Sequence, residues 1–276
     1  MTHLVDSSPL GQKTAYISKY DASLLFPIPR SESRKIIGIL GDLPFYGTDI
    51  WTGYELSWLN SKGRPEVAVA EFSIPLDSQF IIESKSFKLY LNSFNQTKFL
   101  TWDQVEGLLV RDLSSVAGAK VSVNLYRLQD RSALSIHTLA DAFCIDELDV
   151  LVENYHPDAS SLTAEKANIV NESLYSNLLK SNCPVTGQPD WATLFIEYSG
   201  AKINHEALLR YVISFREHQD FHEHCVERIF VDILQRCEPE HLSVYARYTR
   251  RGGLDINPFR STDKTADPKV GRLLRQ

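Results

Sequence analysis

The feature that most constrains this chain is that it nearly repeats itself. Val105-Glu-Gly-Leu-Leu-Val-Arg-Asp-Leu113 reappears as Val226-Glu-Arg-Ile-Phe-Val-Asp-Ile-Leu234, an offset of 121 residues. At the same offset Tyr90 meets Tyr211, Ser93-Phe94 meets Ser214-Phe215, and Val121-Ser-Val123 meets Leu242-Ser-Val244. Upstream, Pro65-Glu-Val-Ala68 meets Pro189-Asp-Trp-Ala192 at an offset of 124. One short apolar match carries no information. Several in one order and near one offset mark an internal duplication. The 276 residues are enough for one large core or two modest ones, and the repeat selects two. The expected halves are residues 1–150 and 151–276.

Each half shows the same order of elements. Val67–Ile74 and Ala192–Tyr198 alternate in the manner of strands. Two helical patterns follow in each. Phe87, Tyr90, Leu91 and Phe94 precede Val105, Leu108, Leu109 and Leu113 in the first half. Leu208, Tyr211, Val212 and Phe215 precede Val226, Ile229, Phe230, Ile233 and Leu234 in the second. Both halves then return to a strand, over 119–128 and 242–249. This order predicts an α+β fold, an antiparallel sheet with helices on one face. The segment 129–181 joins the halves, and its pattern predicts a helix over 164–179.

Composition excludes several classes. The chain is 43% hydrophobic and 23% charged, too apolar for disorder, and no window approaches the ~20 apolar residues of a membrane span. Residues 1–13 are polar and include Asp6, unlike a secretory signal. The four cysteines, Cys144, Cys183, Cys225 and Cys237, form no CxxC pair, so reduced thiols in a cytoplasmic protein are expected. The net charge of −6 argues against nucleic-acid binding, although the stretch from Arg247 holds eight Lys/Arg against three Asp.

Four clusters carry side chains suited to chemistry. Cys183 lies in Ser181-Asn-Cys-Pro-Val-Thr-Gly-Gln-Pro-Asp190, a turn by composition. It reads as a nucleophilic thiolate with Asp190 as its acid or base, or as a buried structural thiol beside a solvated Asp. His218-Gln-Asp-Phe-His-Glu-His-Cys225 concentrates metal-ligand types, yet His222 and His224 cannot share a helix face. His222 as a proton donor or acceptor with Glu223 as a hydrogen-bond acceptor is the more economical reading, against a merely solvated helix start. Glu83-Ser-Lys-Ser-Phe-Lys-Leu-Tyr90 enters a helix that Ser84 or Ser86 would cap. Lys85 and Lys88 there oppose the helix dipole unless an anion such as phosphate binds, the alternative being a solvated turn. Arg250-Arg-Gly-Gly-Leu-Asp-Ile-Asn-Pro258 pairs two arginines with two glycines, suited to phosphate or to an ordinary turn. Neither GxGxxG nor GxxxxGK[ST] occurs.

Together with Trp51-Thr-Gly-Tyr-Glu-Leu-Ser-Trp-Leu-Asn60, these four motifs resemble the NADPH-dependent 7-cyano-7-deazaguanine reductases, the nitrile reductases of queuosine biosynthesis, in their long two-module form. The resemblance covers nearly the whole chain. It implies the tunnelling fold, related to GTP cyclohydrolase I, as two tandem ββααββ modules, and a homodimer. It also implies a small-molecule 7-deazaguanine substrate, NADPH consumed twice per turnover, no metal, and no direct contact with nucleic acid or membrane. Carried over residue by residue, Cys183 attacks the nitrile to give a covalent thioimide, Asp190 donates a proton and His222 assists. Ile82, Glu83, Ser84, His222 and Glu223 line the substrate pocket. Ser84, Lys85, Arg251 and Gly252 contact NADPH. A metal-dependent cyclohydrolase using His222, His224 and Cys225 and a non-catalytic purine-binding module are the alternative readings.

Overall fold

In the computed structural model of the chain, residues 16–130, 136–139 and 141–276 are described. They form two units that interleave along the sequence. Of the described residues, the first comprises 16–35, 48–130 and 250–256, the second 36–47, 136–139, 141–249 and 257–276. From residue 136 onward the joining segment therefore belongs to the second unit.

The elements in chain order are β1 (Pro27–Pro29), α1 (Arg30–Ile36), β2 (Tyr46–Leu59), β3 (Pro65–Pro75), β4 (Phe80–Ile82), α2 (Ser84–Ser93), α3 (Trp102–Ala117) and β5 (Ser122–Tyr126). There follow β6 (Phe143–Cys144), β7 (Ala164–Asn182), β8 (Pro189–Ile203), α4 (His205–Ser214), α5 (His222–Cys237), β9 (His241–Tyr248) and β10 (Leu254–Ser261). The fold is α+β, with all the long strands pairing antiparallel.

In the first unit β2, β3 and β5 form an antiparallel run in the order β5-β3-β2, with the start of β10 beyond β2. The alternation at Phe72 and Ile74 points one face inward, where Trp51, Phe87, Tyr90, Phe94, Val105, Leu109 and Leu113 pack in one core. Each fully buried Phe contributes about 2–3 kcal/mol. In the second unit the order is β10-β9-β8-β7-β6. Ala192, Leu194, Ile196 and Tyr198 of β8, with Leu242, Val244, Ala246 and Tyr248 of β9, are buried at every second residue.

The sequence repeat has a structural counterpart. The Tyr90 hydroxyl donates to Asp112 Oδ2 at 2.8 Å in the first unit, and the Tyr211 hydroxyl donates to Asp232 Oδ2 at 2.6 Å in the second. That equivalence corrects one detail. The first helices correspond at offset 121, but α3 and α5 correspond at 120, because their left-handed C-terminal residues are Gly118 (φ 71°) and Glu238 (φ 50°). The linker between the helices is one residue shorter in the second unit. The apolar match tolerated the slip because neighbouring apolar residues, such as Leu108–Leu109 and Ile229–Phe230, pair in either register.

A second correction concerns 164–179, expected as helix and observed as the outer part of the 19-residue strand β7. Ala164–Ala167 favour a helix locally, but β8 supplies a hydrogen-bonding partner along nearly the whole length. Register shifts between Glu165 and Ile169 and between Ser176 and Leu179 break the period-two alternation that would have revealed a strand.

Candidate active site

In the second unit the site is built around the β7–β8 turn. The Cys183 N–H donates to Gln188 O at 2.9 Å and the Gly187 N–H to Cys183 O at 3.0 Å, which closes the turn. Ser181 stands opposite Asp190 in the ladder. Cys183 is two residues beyond Ser181, so strand periodicity puts Ser181, Cys183 and Asp190 on one side of the hairpin. All three are buried, at 0%, 5% and 3% exposure, so the thiol belongs to a water-poor polar cluster. The turn is fastened to the segment before α5. The Asn182 N–H donates to His218 O at 2.8 Å and the Asp220 N–H to Asn182 O at 3.2 Å. Lys180 Nζ adds bonds to Asn182 Oδ1 and Arg216 O, both at 2.7 Å.

That fastening fixes where α5 begins. The helix has no side-chain cap, whereas α2, α3 and α4 are capped by Glu83, Thr101 and Asn204. His222 is its first residue and Glu223, buried, its second. His222 Nε2 lies 3.4 Å from Asp190 Oδ1. The imidazole stacks on the ring of Tyr248, with centroids 3.7 Å apart and planes within 3°. The structure thus brings His222 to Asp190, with Cys183 buried in the turn that leads into β8. The positive end of the α5 dipole lies at His222, an environment suited to developing negative charge.

The other histidines of this cluster have different partners. His224 Nδ1 lies 3.0 Å from Asp220 Oδ1, which also accepts from the Phe221 N–H. Burial lowers the pKa of His218, with the Asp220 charge opposing it. Burial raises the Cys225 thiol well above its ordinary value, and the hydroxyls of Ser181 and Tyr248 lie beside it. Among the described residues no group of three or more His, Cys, Asp or Glu is placed to hold a metal ion. His222, His224 and Cys225 do not converge on one point for a metal-dependent hydrolase. Tyr248 is the residue that the sequence did not single out. Its only sequence signal was an inward position at the end of a strand.

In the first unit Ile82 ends β4 and Glu83 caps α2. The cap expected at Ser84 or Ser86 is Glu83 itself, whose carboxylate accepts from the Lys85 N–H at 2.6 Å and the Ser86 N–H at 2.7 Å. The N-terminal anion site of α2 therefore holds the chain's own carboxylate, not a phosphate. Ser86 is occupied otherwise, its hydroxyl donating to Glu83 O. Burial raises the Glu83 pKa, opposed by the two backbone bonds and then by Lys88 and Lys85. One acceptor site on each Glu83 oxygen is used, and each oxygen has a further lone pair. The side chain is thus oriented but still able to accept from a ligand.

The Arg251-Gly252-Gly253-Leu254 turn closes by bonds from the Arg251 N–H to Leu254 O (3.0 Å) and from the Leu254 N–H to Arg251 O (3.3 Å). Both central glycines have positive φ, 56° and 70°, as a tight hairpin turn requires. A Cβ on Gly253 would stand 2.3 Å from Glu55 Cδ, and one on Gly252 3.3 Å from Lys88 Cδ. The Lys88 side chain and the Glu55 carboxylate thus both lie against a backbone without a Cβ.

Two family models match the chain, and they set its class as a nitrile reductase. One, described as "Nitrile reductase, 7-cyano-7-deazaguanine-reductase N-term", covers residues 16–125. The other, "QueF-like protein", covers residues 189–267. The relative from Burkholderia multivorans, named NADPH-dependent 7-cyano-7-deazaguanine reductase, is 57% identical over 98% of this chain and 99% of its own length. Proteins of the same name from Burkholderia vietnamiensis and Paraburkholderia phytofirmans are 56% and 55% identical over the same shares. The chain belongs to the NADPH-dependent 7-cyano-7-deazaguanine reductase family. A crystal structure of the archaeosine synthase QueF-Like in the apo form aligns over 36% of this chain and 96% of its own, at 18% identity and a TM-score of 0.31.

Proposed function

We propose that this protein reduces the nitrile of 7-cyano-7-deazaguanine to the primary amine 7-aminomethyl-7-deazaguanine, in queuosine biosynthesis. The observation that carries the reading is the buried His222–Asp190 pair, with Cys183 buried in the turn before Asp190, in a chain of this family. Conversion of nitrile to amine takes two hydrides and two protons, hence two NADPH per turnover. NADPH supplies the hydrides, and this chain's residues manage sulfur and protons. The Cys183 thiolate adds to the nitrile carbon, forming a C–S bond and a thioimide while the triple bond becomes C=N. The proton that the nitrogen takes up comes from Asp190. His222, 3.4 Å from that carboxyl, returns a proton to it. Once the first C–H bond exists, the nitrogen lone pair re-forms C=N and expels the Cys183 thiolate. The free imine then receives the second hydride and a proton.

Ile82, Glu83, Ser84, His222 and Glu223 are assigned to the deazaguanine. Carboxylates suit its edge, which presents an N–H beside an amino group. Ser84, Lys85, Arg251 and Gly252 are assigned to NADPH. The fit rests on the Lys88 side chain beside the Gly252 turn and not on the α2 N-terminus, which Glu83 fills. The repeated order of strands, helices and strand supports the tunnelling fold, with a module read at 1–150 and another at 151–276 in the sequence although the two compact units exchange segments across that boundary. A cytoplasmic homodimer acting on a small molecule, with no metal and no direct nucleic acid, completes the reading. The −6 charge suits a neutral nitrile better than tRNA.

The test is NADPH oxidation at saturating 7-cyano-7-deazaguanine together with intact-protein mass. The reading expects two NADPH per amine and a covalent adduct that Cys183→Ala abolishes. Turnover of the nitrile by Cys183→Ala, or no turnover by the wild type, refutes it.

A further inference from the structure

We propose that Tyr248 is the positioning residue of the His222 imidazole, holding its Nε2 toward Asp190 in the reaction proposed above, on which this inference rests. The torsion that turns a histidine ring is soft and roughly two-fold, so an imidazole with a directional task needs something to fix its plane. A hydrogen bond to the second ring nitrogen usually does this. Here His222 Nδ1 is buried and has no hydrogen-bond partner among the described residues. The contact of Nε2 with Asp190 is long, at 3.4 Å. The remaining constraint is the stack, with rings 3.7 Å apart and 3° from parallel. A face-to-face contact that close leaves no room for the imidazole to rotate out of its plane.

Tyr248 is itself immobilised. It is fully buried as the last residue of β9, opposite Ala192 of β8. Its N–H donates to Asn257 Oδ1 at 3.1 Å, and its carbonyl accepts from Gln276 Nε2 at 3.2 Å. Ala192 lies two residues after Asp190, on the same side of β8. One sheet face therefore carries both the carboxyl that His222 serves and the ring that orients it.

The test is a double-mutant cycle read in kcat and KM for NADPH oxidation with 7-cyano-7-deazaguanine. Tyr248→Phe keeps the ring and is expected to retain kcat within about threefold. Tyr248→Leu removes it and is expected to lower kcat by about ten- to a hundredfold, with KM for the nitrile changed by less than about threefold. In a His222→Ala background Tyr248→Leu is expected to have almost no further effect, because the group it positions is gone. Equal losses in both backgrounds, or an active Tyr248→Leu, overturn the proposal. If Tyr248→Leu does not fold, Tyr248→Met, closer in volume, takes its place. A wild type inert toward the nitrile refutes the functional reading instead. Crystal structures then still decide the positioning role: the imidazole keeps facing Asp190 in Tyr248→Phe and turns away in Tyr248→Leu, and an unmoved ring in the latter overturns it.

Discussion

Removing the carboxylate of Asp232 should destabilise the second unit more than removing the hydroxyl bonded to it. The Tyr211 hydroxyl donates to Asp232 Oδ2 at 2.6 Å. Tyr211 is fully buried between sheet and helices, whereas the Asp232 side chain is 18% exposed and has Arg228 at 3.7 Å. In Asp232→Ala the phenol loses its acceptor where water cannot replace it, and the cost is about 2–3 kcal/mol. In Tyr211→Phe the carboxylate can turn to water and to Arg228, so about 1 kcal/mol is expected. The double variant should cost little more than Tyr211→Phe, a coupling of about 1–2 kcal/mol. Urea unfolding followed by circular dichroism, with equal slopes for the four proteins, measures each value. At about 2–4 °C per kcal/mol, Asp232→Ala should also melt about 5–10 °C lower. Additive single effects, or a Tyr211→Phe loss larger than that of Asp232→Ala, would show that the pair is not the unit of stability assumed here.

Further outcomes follow from other parts of the molecule. Burial raises the Asp232 pKa above 3.8, so its contribution is fully present below the unfolded value and is lost as pH rises through the folded one. The stability advantage of wild type over Asp232→Asn should therefore shrink from about pH 4 upward, as urea midpoints measured across that range would show. Asp190→Asn keeps the shape but cannot donate a proton, and should slow nitrile turnover and adduct formation by about 10²–10⁴-fold, measured by stopped-flow and mass. Glu238→Gly should raise stability by about 0.5–1 kcal/mol, because its φ of 50° strains any side chain and the Lys166 ion pair it forfeits is exposed. Gly118→Ala, at the equivalent helix end with φ 71° and the Gln79 side chain 3.3 Å from the added carbon, should lower it by about 1 kcal/mol; thermal melts report both.

The sequence by itself determined the α+β class, the repeated order of elements and the family. Those properties are written in local periodicity and in contiguous motifs such as Ser181–Asp190 and Glu83–Tyr90. Both helix pairs and the strands at 65–75 and 189–203 follow from apolar spacing, which each element satisfies within its own length. Only the tertiary structure decided three matters. β7 is a strand because β8 lies beside it, and a ladder partner is a nonlocal quantity that Ala164–Leu179 do not encode. Glu83 caps α2 because its backbone is extended there and both first-turn N–H groups face its carboxylate, ahead of the serines that composition favoured. Tyr248 meets His222 because α5 packs against β9 and brings its first residue to the strand's last. Local preference reaches only a few residues along the chain, whereas the Tyr248–His222 contact joins positions 26 apart whose meeting depends on how every element between them packs.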